Sequence, residues 1–318
     1  MRIAFCHHLS LSYGGGGEKW LIQLSKELVS RGHSVEIFCL PFKLKDGGSY
    51  DFKSELGLIP YHESYFHYVD ADVAYITYNP LNWLNFYTRA PKIGGMHSHA
   101  YWKPINPSYG LLPNIAIIAN ALTSRWELAR FKVIHKILDE YPVNHPKVVT
   151  IPNFVDPEKY STQNTSSINF TVGFASRKNW QKGFDIWEEL KPKLAKLSID
   201  TIETGNIPEN LMPSFFSSCH AVVVPARVDT FGITIIESIF CGSIPVVSSL
   251  VTHRALSLPL FYADDSESLV KRILEVKEMW DSGIYTQYQS ILRRQSERFE
   301  KIHVIDQLES MFLEVASK

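Results

Sequence analysis

Between Val224 and Ser248 the chain reads VPARVDTFGITIIESIFCGSIPVVS, and a segment of this kind leaves little choice of fold. A short apolar run, Ala221 to Val224, stops at Pro225 and gives way to a polar loop. A helix then opens at Gly232 and Ile233, and a second apolar run, Ile244 to Val247, follows a small-residue turn at Cys241 and Gly242. Strand, loop, helix and strand at this spacing belong to a parallel sheet, and the loop after the first strand falls at its carboxyl edge, where ligands commonly bind. The helix opening offers unpaired backbone N–H groups and a positive dipole end, which suits the phosphates of a nucleotide. Glu237 follows about one turn into the helix, where its carboxylate can accept hydrogen bonds from ribose hydroxyls. Taken alone, the acids also suit any buried strand-loop-helix unit that stabilises its helix dipole.

The rest of the chain repeats the alternation of apolar runs with helical patterns, which marks an α/β protein. In the first half, Ile3 to Cys6 reads as a strand. A Gly-rich loop and a helix from about Glu18 to Ser30 follow, with Trp20, Leu21, Leu24 and Leu28 on one face and Gly32 at its end. Val35 to Leu40, Val73 to Thr77, Lys92 to Met96 and Ile115 to Ala119 are further strand candidates. The stretch from Ser124 to Tyr141 looks helical, and Val148 to Ile151 reads as the last strand of this half. The second half runs from Phe170 to Ala175 through a helix near Phe184 to Leu197 into the segment above and on to terminal helices. Gln163 to Asn169 is a polar surface connection ahead of it.

With 318 residues, 45% of them hydrophobic, the chain can fill about two domains. Lys and Arg total 32 against 33 Asp and Glu with no long run of one sign, so nothing calls for a nucleic-acid partner. Cys6, Cys39, Cys219 and Cys241 lack metal-ligand spacing and read as reduced core residues. The opening MRIAFCHHLS reads as a buried strand rather than a signal peptide, so a cytoplasmic protein is expected. Between Lys103 and Arg125 no charge occurs, but Pro104, Pro107 and Pro113 suit a spanning helix poorly, and a loop and a strand are expected there.

The Val224–Ser248 segment resembles the donor-site signature of retaining GT-B glycosyltransferases, in particular glycosyltransferase family four. That signature has two acids separated by seven residues, here Asp229 and Glu237, with Phe231 and Gly232 after the first and Gly242, Pro245 and Val246 closing the helix. The family usually has Glu at the first position, and Asp229 is one methylene shorter. Pro152-Asn153-Phe154-Val155-Asp156 resembles the family's interdomain IPNGVD motif, with Phe154 in place of Gly. The resemblance implies two Rossmann-like domains with parallel sheets facing a central cleft. They would be residues 1–153 on the acceptor side and 154–303 on the nucleotide-sugar side, with the last helix, about 304–318, packing back on the first. Family members usually carry one more strand-helix unit in the second domain, where this chain has only Ser198 to Cys219.

Other constellations take their meaning beside that resemblance. Arg177 and Lys182 follow a buried strand and precede Gly183, at the spacing of the family's diphosphate-binding pair. Two cations there stabilise the charge that develops as the sugar bond breaks. Gly14 to Gly17 lie between the first strand and helix, where Gly16 and Gly17 let backbone approach a ligand; a flexible surface turn is the plainer alternative. The loop is not a GxGxxG dinucleotide fingerprint, since no acid stands in the expected place after the second strand. His97 sits just past a strand, as does the family histidine that hydrogen-bonds the donor sugar. His99 alternates with it, but spacing supplies no third ligand, and no metal is expected. His7 and His8 read as structural or acceptor-side. Asp70-Ala71-Asp72 matches the metal-holding DxD pattern but precedes a strand, and reads as a strand-entry turn. Tyr61, Tyr65, Phe66, Tyr68, Tyr101 and Trp102 suit stacking on a sugar, a lipid acceptor, core packing or a surface lid equally well.

Together these imply a retaining, metal-independent glycosyltransferase using a nucleoside diphosphate sugar as co-substrate, with no cofactor and an unidentified glycan, lipid or small-molecule acceptor. Catalytic roles fall to His97, Asp229, Arg177 and Lys182. Donor binding falls to Gly16, Gly17, Arg177, Lys182, Phe231, Gly232, Ile233, Thr234 and Glu237. A nucleotide-sugar epimerase on the same fold and a catalytically degenerate, nucleotide-sugar-binding partner subunit are the alternatives. Peripheral contact with a membrane surface stays open, because acceptors in this family include lipid-linked glycans.

Overall fold

The computed structural model describes residues 1–43, 50–79, 82–97, 111–141, 143–162, 169–204 and 208–317. His99, Tyr101, Trp102 and most of the Gln163–Asn169 connection lie outside them. The chain divides into two compact units, Met1–Pro152 with Val304–Lys318, and Asn153–His303.

The first unit contains β1 (Arg2–His7), α1 (Gly16–Ser30), β2 (Ser34–Cys39), β3 (Tyr61–Glu63), β4 (His67–Tyr68), β5 (Val73–Thr77), β6 (Phe86–Tyr87), β7 (Lys92–Met96), α2 (Leu111–Leu128), β8 (Val133–Lys136) and β9 (Val148–Thr150). Seven of these strands form one parallel sheet in the order β3-β2-β1-β5-β7-β8-β9, while β4 and β6 pair apart from it. β1 and β5 are buried almost throughout, as strands covered on both faces require. Phe5 of β1 meets Trp20 of α1, Tyr75 of β5 and Phe312. Phe312 belongs to the last helix, which starts at Lys301 and carries Arg31 and His33 on its Glu309.

The second unit holds β10 (Thr171–Phe174), α3 (Phe184–Lys196), β11 (Asp200–Glu203), α4 (Met212–Ser217), β12 (Ala221–Val224), α5 (Ile233–Phe240), β13 (Ile244–Val247), α6 (Val251–Arg254), β14 (Phe261–Tyr262), α7 (Ser266–Asp281), α8 (Tyr285–Gln295) and the start of α9 (Lys301–Ala316). Its sheet is parallel in the order β11-β10-β12-β13-β14. Between β11 and β12 the described residues form only a 3₁₀ turn, Glu209–Leu211, and the short α4. β10 has β12 as its direct neighbour, and β11 and β14 are the edge strands.

Three expectations need correction. Ile115 to Ala119 is not a strand but the middle of α2. An unbroken apolar run carries no period-two signal, and here length decided for a helix. The pattern from Ser124 to Tyr141 is not one helix: α2 stops at Leu128, and the β-branched pair Val133-Ile134 is buried in β8. Gly16 and Gly17 are not loop residues but the first turn of α1, because Gly15 is the cap and its N–H donates to Glu18 Oε2 (2.8 Å). All four cysteines are free thiols and buried. Asp70 and Asp72 both accept from the Arg2 guanidinium, which makes that triplet a strand-entry clamp.

Candidate functional site

Parallel pairing of β10 with β12, Phe174 against Val223, sets the two following loops side by side at the carboxyl edge of the second sheet. Contacts between the loops are extensive. The N–H groups of Arg227 and Val228 both donate to the Gln181 carbonyl (2.8 and 3.1 Å). The Arg227 guanidinium binds both Asp185 oxygens (2.6 and 2.7 Å) and the Trp180 carbonyl, and lies over the Trp180 ring. Gly183 makes the closest approach: it has φ 71°, and a Cβ there would stand 2.1 Å from the Pro225 carbonyl oxygen. Only glycine combines that backbone angle with that proximity.

This docking delivers Lys182 to Asp229. The ammonium lies 3.4 Å from Asp229 Oδ2 and donates to the Val228 carbonyl at 3.4 Å. Asp229 Oδ1 accepts from the Thr230 N–H (2.8 Å). His253, fully buried on α6, donates from Nδ1 to the Ser248 carbonyl (3.1 Å), which leaves its Nε2 3.5 Å from Asp229 Oδ2. Burial alone would push the Asp229 carboxyl up. Lys182 and His253 outweigh it and hold the group well below the usual carboxylate range. A carboxylate and an ammonium therefore stand together at the opening of α5. Gly232 caps that helix in the left-handed region with φ 88° and no side-chain hydrogen bond. The first turn contains no acidic side chain to satisfy the N–H groups at Ile233 and Thr234. Phe231 is buried with its ring against Phe299. Arg177 is half-buried in the first of the two loops.

Glu237 is buried, one turn along α5. Its neighbours were not foreseen. The Tyr160 hydroxyl donates to Glu209 Oε1 (2.6 Å), which Lys159 also contacts at 3.0 Å. Burial first, then the Glu237 and Glu209 carboxylates, raise the Tyr160 phenol far above its ordinary range. The Glu237 carboxylate thus lies near the hydroxyl that Glu209 holds. A cavity of about 480 Å³ lies elsewhere in this unit, toward the far end of α5, lined by Tyr160, Gly242, Gln289 and Arg293. None of the catalytic or donor-binding residues assigned from the sequence lines it.

The carboxyl edge of the first sheet carries His97. His135 Nε2 donates to the Ile151 carbonyl (2.8 Å), and burial lowers this imidazole to about 4, so the ring is neutral and its Nδ1 is bare. The Tyr75 hydroxyl must then donate to His135 Nδ1 (2.6 Å) and can only accept from His97 Nε2 (2.8 Å). The chain fixes His97 as the neutral Nε2–H tautomer, with Nδ1 a pure acceptor. Burial, followed by the neighbouring His135, keeps it uncharged by lowering its pKa well below normal. Beside it, His7 Nε2 meets Glu18 Oε1 at 2.6 Å, and the same Glu18 carboxylate caps α1. A Cβ on Gly17 would lie 3.7 Å from the His7 ring.

Among the described residues, no group of three or more His, Cys, Asp or Glu is arranged to hold a metal ion. No family model and no curated protein matches the chain. Solved structures do match. Sucrose-phosphate synthase from Thermosynechococcus elongatus superimposes with a TM-score of 0.71 at 12% identity, over 100% of this chain and 99% of that one. Anabaena HepE, solved with UDP and glucose, gives 0.72 at 16% identity over 99% and 100%. This chain has the GT-B glycosyltransferase fold. A glycosyltransferase from Rickettsia africae is equally similar, with 0.72 at 14% identity over 99% and 98%. At these identities the likeness is one of architecture, two Rossmann-like domains, and the chemistry has to be argued from the residues.

Proposed function

We propose that this GT-B protein is a retaining glycosyltransferase that moves a sugar from a nucleoside diphosphate donor to an acceptor hydroxyl. The observation that carries the proposal is the meeting of Lys182, Asp229 and the start of α5, which has no side-chain cap hydrogen bond, at one sheet edge. The N–H groups at Ile233 and Thr234 take phosphate oxygens, Arg177 and Lys182 neutralise the diphosphate, and Glu237 takes the ribose hydroxyls. Asp229 and the Phe231-Gly232 backbone orient the sugar. In the transfer, the bond from the anomeric carbon to the phosphate oxygen breaks and the acceptor oxygen bonds to the same face of that carbon. The acceptor proton passes to the departing phosphate. This chemistry needs no resident metal, since the two cations and the helix dipole carry the charge.

In the first unit, the bare Nδ1 of His97 accepts a substrate hydroxyl, and the first turn of α1 at Gly16 and Gly17 offers backbone to the substrate. Support for a nucleotide-sugar donor comes from relatives in fold: HepE was solved with UDP-glucose as well as with UDP and glucose. The protein is proposed to act in the cytoplasm with peripheral contact to a membrane. The test is thermal stability against UDP, GDP, ADP and their sugar conjugates, because a ligand that binds only the folded state raises Tm by mass action. One nucleotide is expected to stabilise the wild type and to lose that effect in Glu237→Ala, with the donor's anomeric configuration kept in the product. No shift at millimolar concentration would favour the partner-subunit alternative, which the shortened second sheet and the fully engaged Asp229 carboxylate also fit.

A further inference from the structure

Helix α2 wears its apolar side outward. Leu111 is 75% exposed, Ile115 49%, Ile118 43%, Leu122 81% and Trp126 53%, and their spacing follows one helical stripe. At 1.5 Å per residue that stripe is about 22 Å long. The one acid of the helix, Glu127, is turned inward and fully buried, where it accepts from Tyr78 (3.1 Å) and from Thr123. What the outer face adds at its end is positive: Arg125 and Arg130 are exposed, and the Arg130 guanidinium lies against both the Trp83 and Trp126 rings, 4.2 and 4.1 Å from their centroids. The apolar ground continues past Trp83 to the exposed Leu84 of the same turn, whose neighbour Asn85 holds the carbonyl of exposed Tyr65 (2.8 Å).

We propose that this face docks the first unit on an anionic lipid bilayer. Aliphatic side chains down the middle with tryptophan and arginine at the margin match the profile of a bilayer surface, where aromatic rings sit at headgroup level and cations meet lipid phosphates. Among the described residues no helix is long and apolar enough to cross a membrane, so α2 lies in the interface rather than through it. A second copy of the chain fits less well, because among the described residues this face presents two arginines and no exposed acid to pair with them. The docking deepens the transferase reading by placing it beside acceptors that a lipid carries. It rests on that reading only for its use, since the contact itself needs no donor.

The test floats the full chain with vesicles of phosphatidylcholine alone or with phosphatidylglycerol added. Binding is expected to the anionic vesicles, to weaken in high salt, and to fall about tenfold or more in the Ile118→Ser/Leu122→Ser double variant. Brominated lipid is expected to quench tryptophan emission of the wild type and to do so less in Trp126→Phe, a readout that survives if the double variant fails to fold. Binding to neither vesicle, or equal binding by a folded double variant, overturns the proposal. So does self-association that the same substitutions abolish, which would assign the face to a second copy. Nucleotide affinity of the double variant is expected to stay at the wild-type level, so the failure of either proposal is visible separately.

Discussion

Replacing Gly183 by alanine tests whether loop docking holds the site together. The added methyl would meet the Pro225 carbonyl oxygen at 2.1 Å and the carbonyl carbon at 2.8 Å, in a backbone held at φ 71°. The left-handed conformation costs a non-glycine residue about 1–2 kcal/mol. Prising the loops apart adds about 1–3 kcal/mol, because the atom in the way is backbone and cannot rotate aside. The second unit spans about 150 residues, so with 2–4 °C per kcal/mol its transition should fall by about 5–15 °C. Differential scanning calorimetry reads this directly, and Gly17→Ala is the control. Gly17 is helical, with its nearest neighbour 3.7 Å away, and alanine there should stabilise by about 0.5–1 kcal/mol. Lys182 sits one residue before Gly183, so nucleotide affinity of Gly183→Ala should also drop at temperatures where it is still folded. A Tm within a degree of wild type, or equal destabilisation by both substitutions, would refute the docking argument.

Three further outcomes follow from the same geometry. Asp229→Asn should cost about 1–3 kcal/mol at pH 7 in urea denaturation, less than a fully buried pair because both partners reach solvent. The Asp229 carboxyl is held below its unfolded value, so its contribution is present above about pH 4 and is lost as pH falls further; the Asn variant should lack that acid step. His135 behaves oppositely: lowered to about 4 when folded, it destabilises as pH drops from about 6.5, by about 2 kcal/mol at pH 5, and His135→Asn should flatten that slope in hydrogen exchange of the first unit. Tyr75→Phe strands His135 Nδ1 and His97 Nε2; nitrogen-resolved NMR should show His97 losing its single tautomer, and turnover should fall more than donor affinity. A wild-type tautomer in that variant would break the relay argument.

The strands were the legible part of this fold. Ala221–Val224, Ile244–Val247 and Lys92–Met96 stand where short apolar runs end at Pro225, Ser248 and His97, and those runs are too short for buried helices. α2 was misread for a physical reason: its apolar residues Leu111, Ile115, Ile118 and Leu122 are exposed rather than buried, so the usual pattern of a polar outer face, by which a helix is known in a sequence, does not show. The end of that helix escaped for the opposite reason. Charged residues from Arg125 to Lys136 imitate a helical surface while β8 carries its buried residues in a run of only four.

Site residues were legible in proportion to how local their chemistry is. Asp229, Gly232 and Glu237 share one loop and helix, and their spacing shows in one line of sequence. Lys182 and Asp229 meet only because β10 and β12 are direct neighbours, which spacing cannot reveal without a known fold. His253 escaped because it acts through Asp229 from α6, the helix after the next strand, β13. The relay behind His97 looks still less accessible, since Tyr75, His97 and His135 come from three different strands. Yet it leaves a trace. Two consecutive glycines weaken a buried strand, and β7 carries them at Gly94 and Gly95. A Cβ on Gly95 would stand 2.3 Å from the Tyr75 hydroxyl. Gly95 is paired with His135 in the register of β7 and β8, so its bare Cα is what lets the Tyr75 ring cross β7 and reach the imidazole beyond. Any side chain at that position displaces the hydroxyl and with it the acceptor that fixes His97, which makes Gly95 part of the tautomer's support although it touches no substrate.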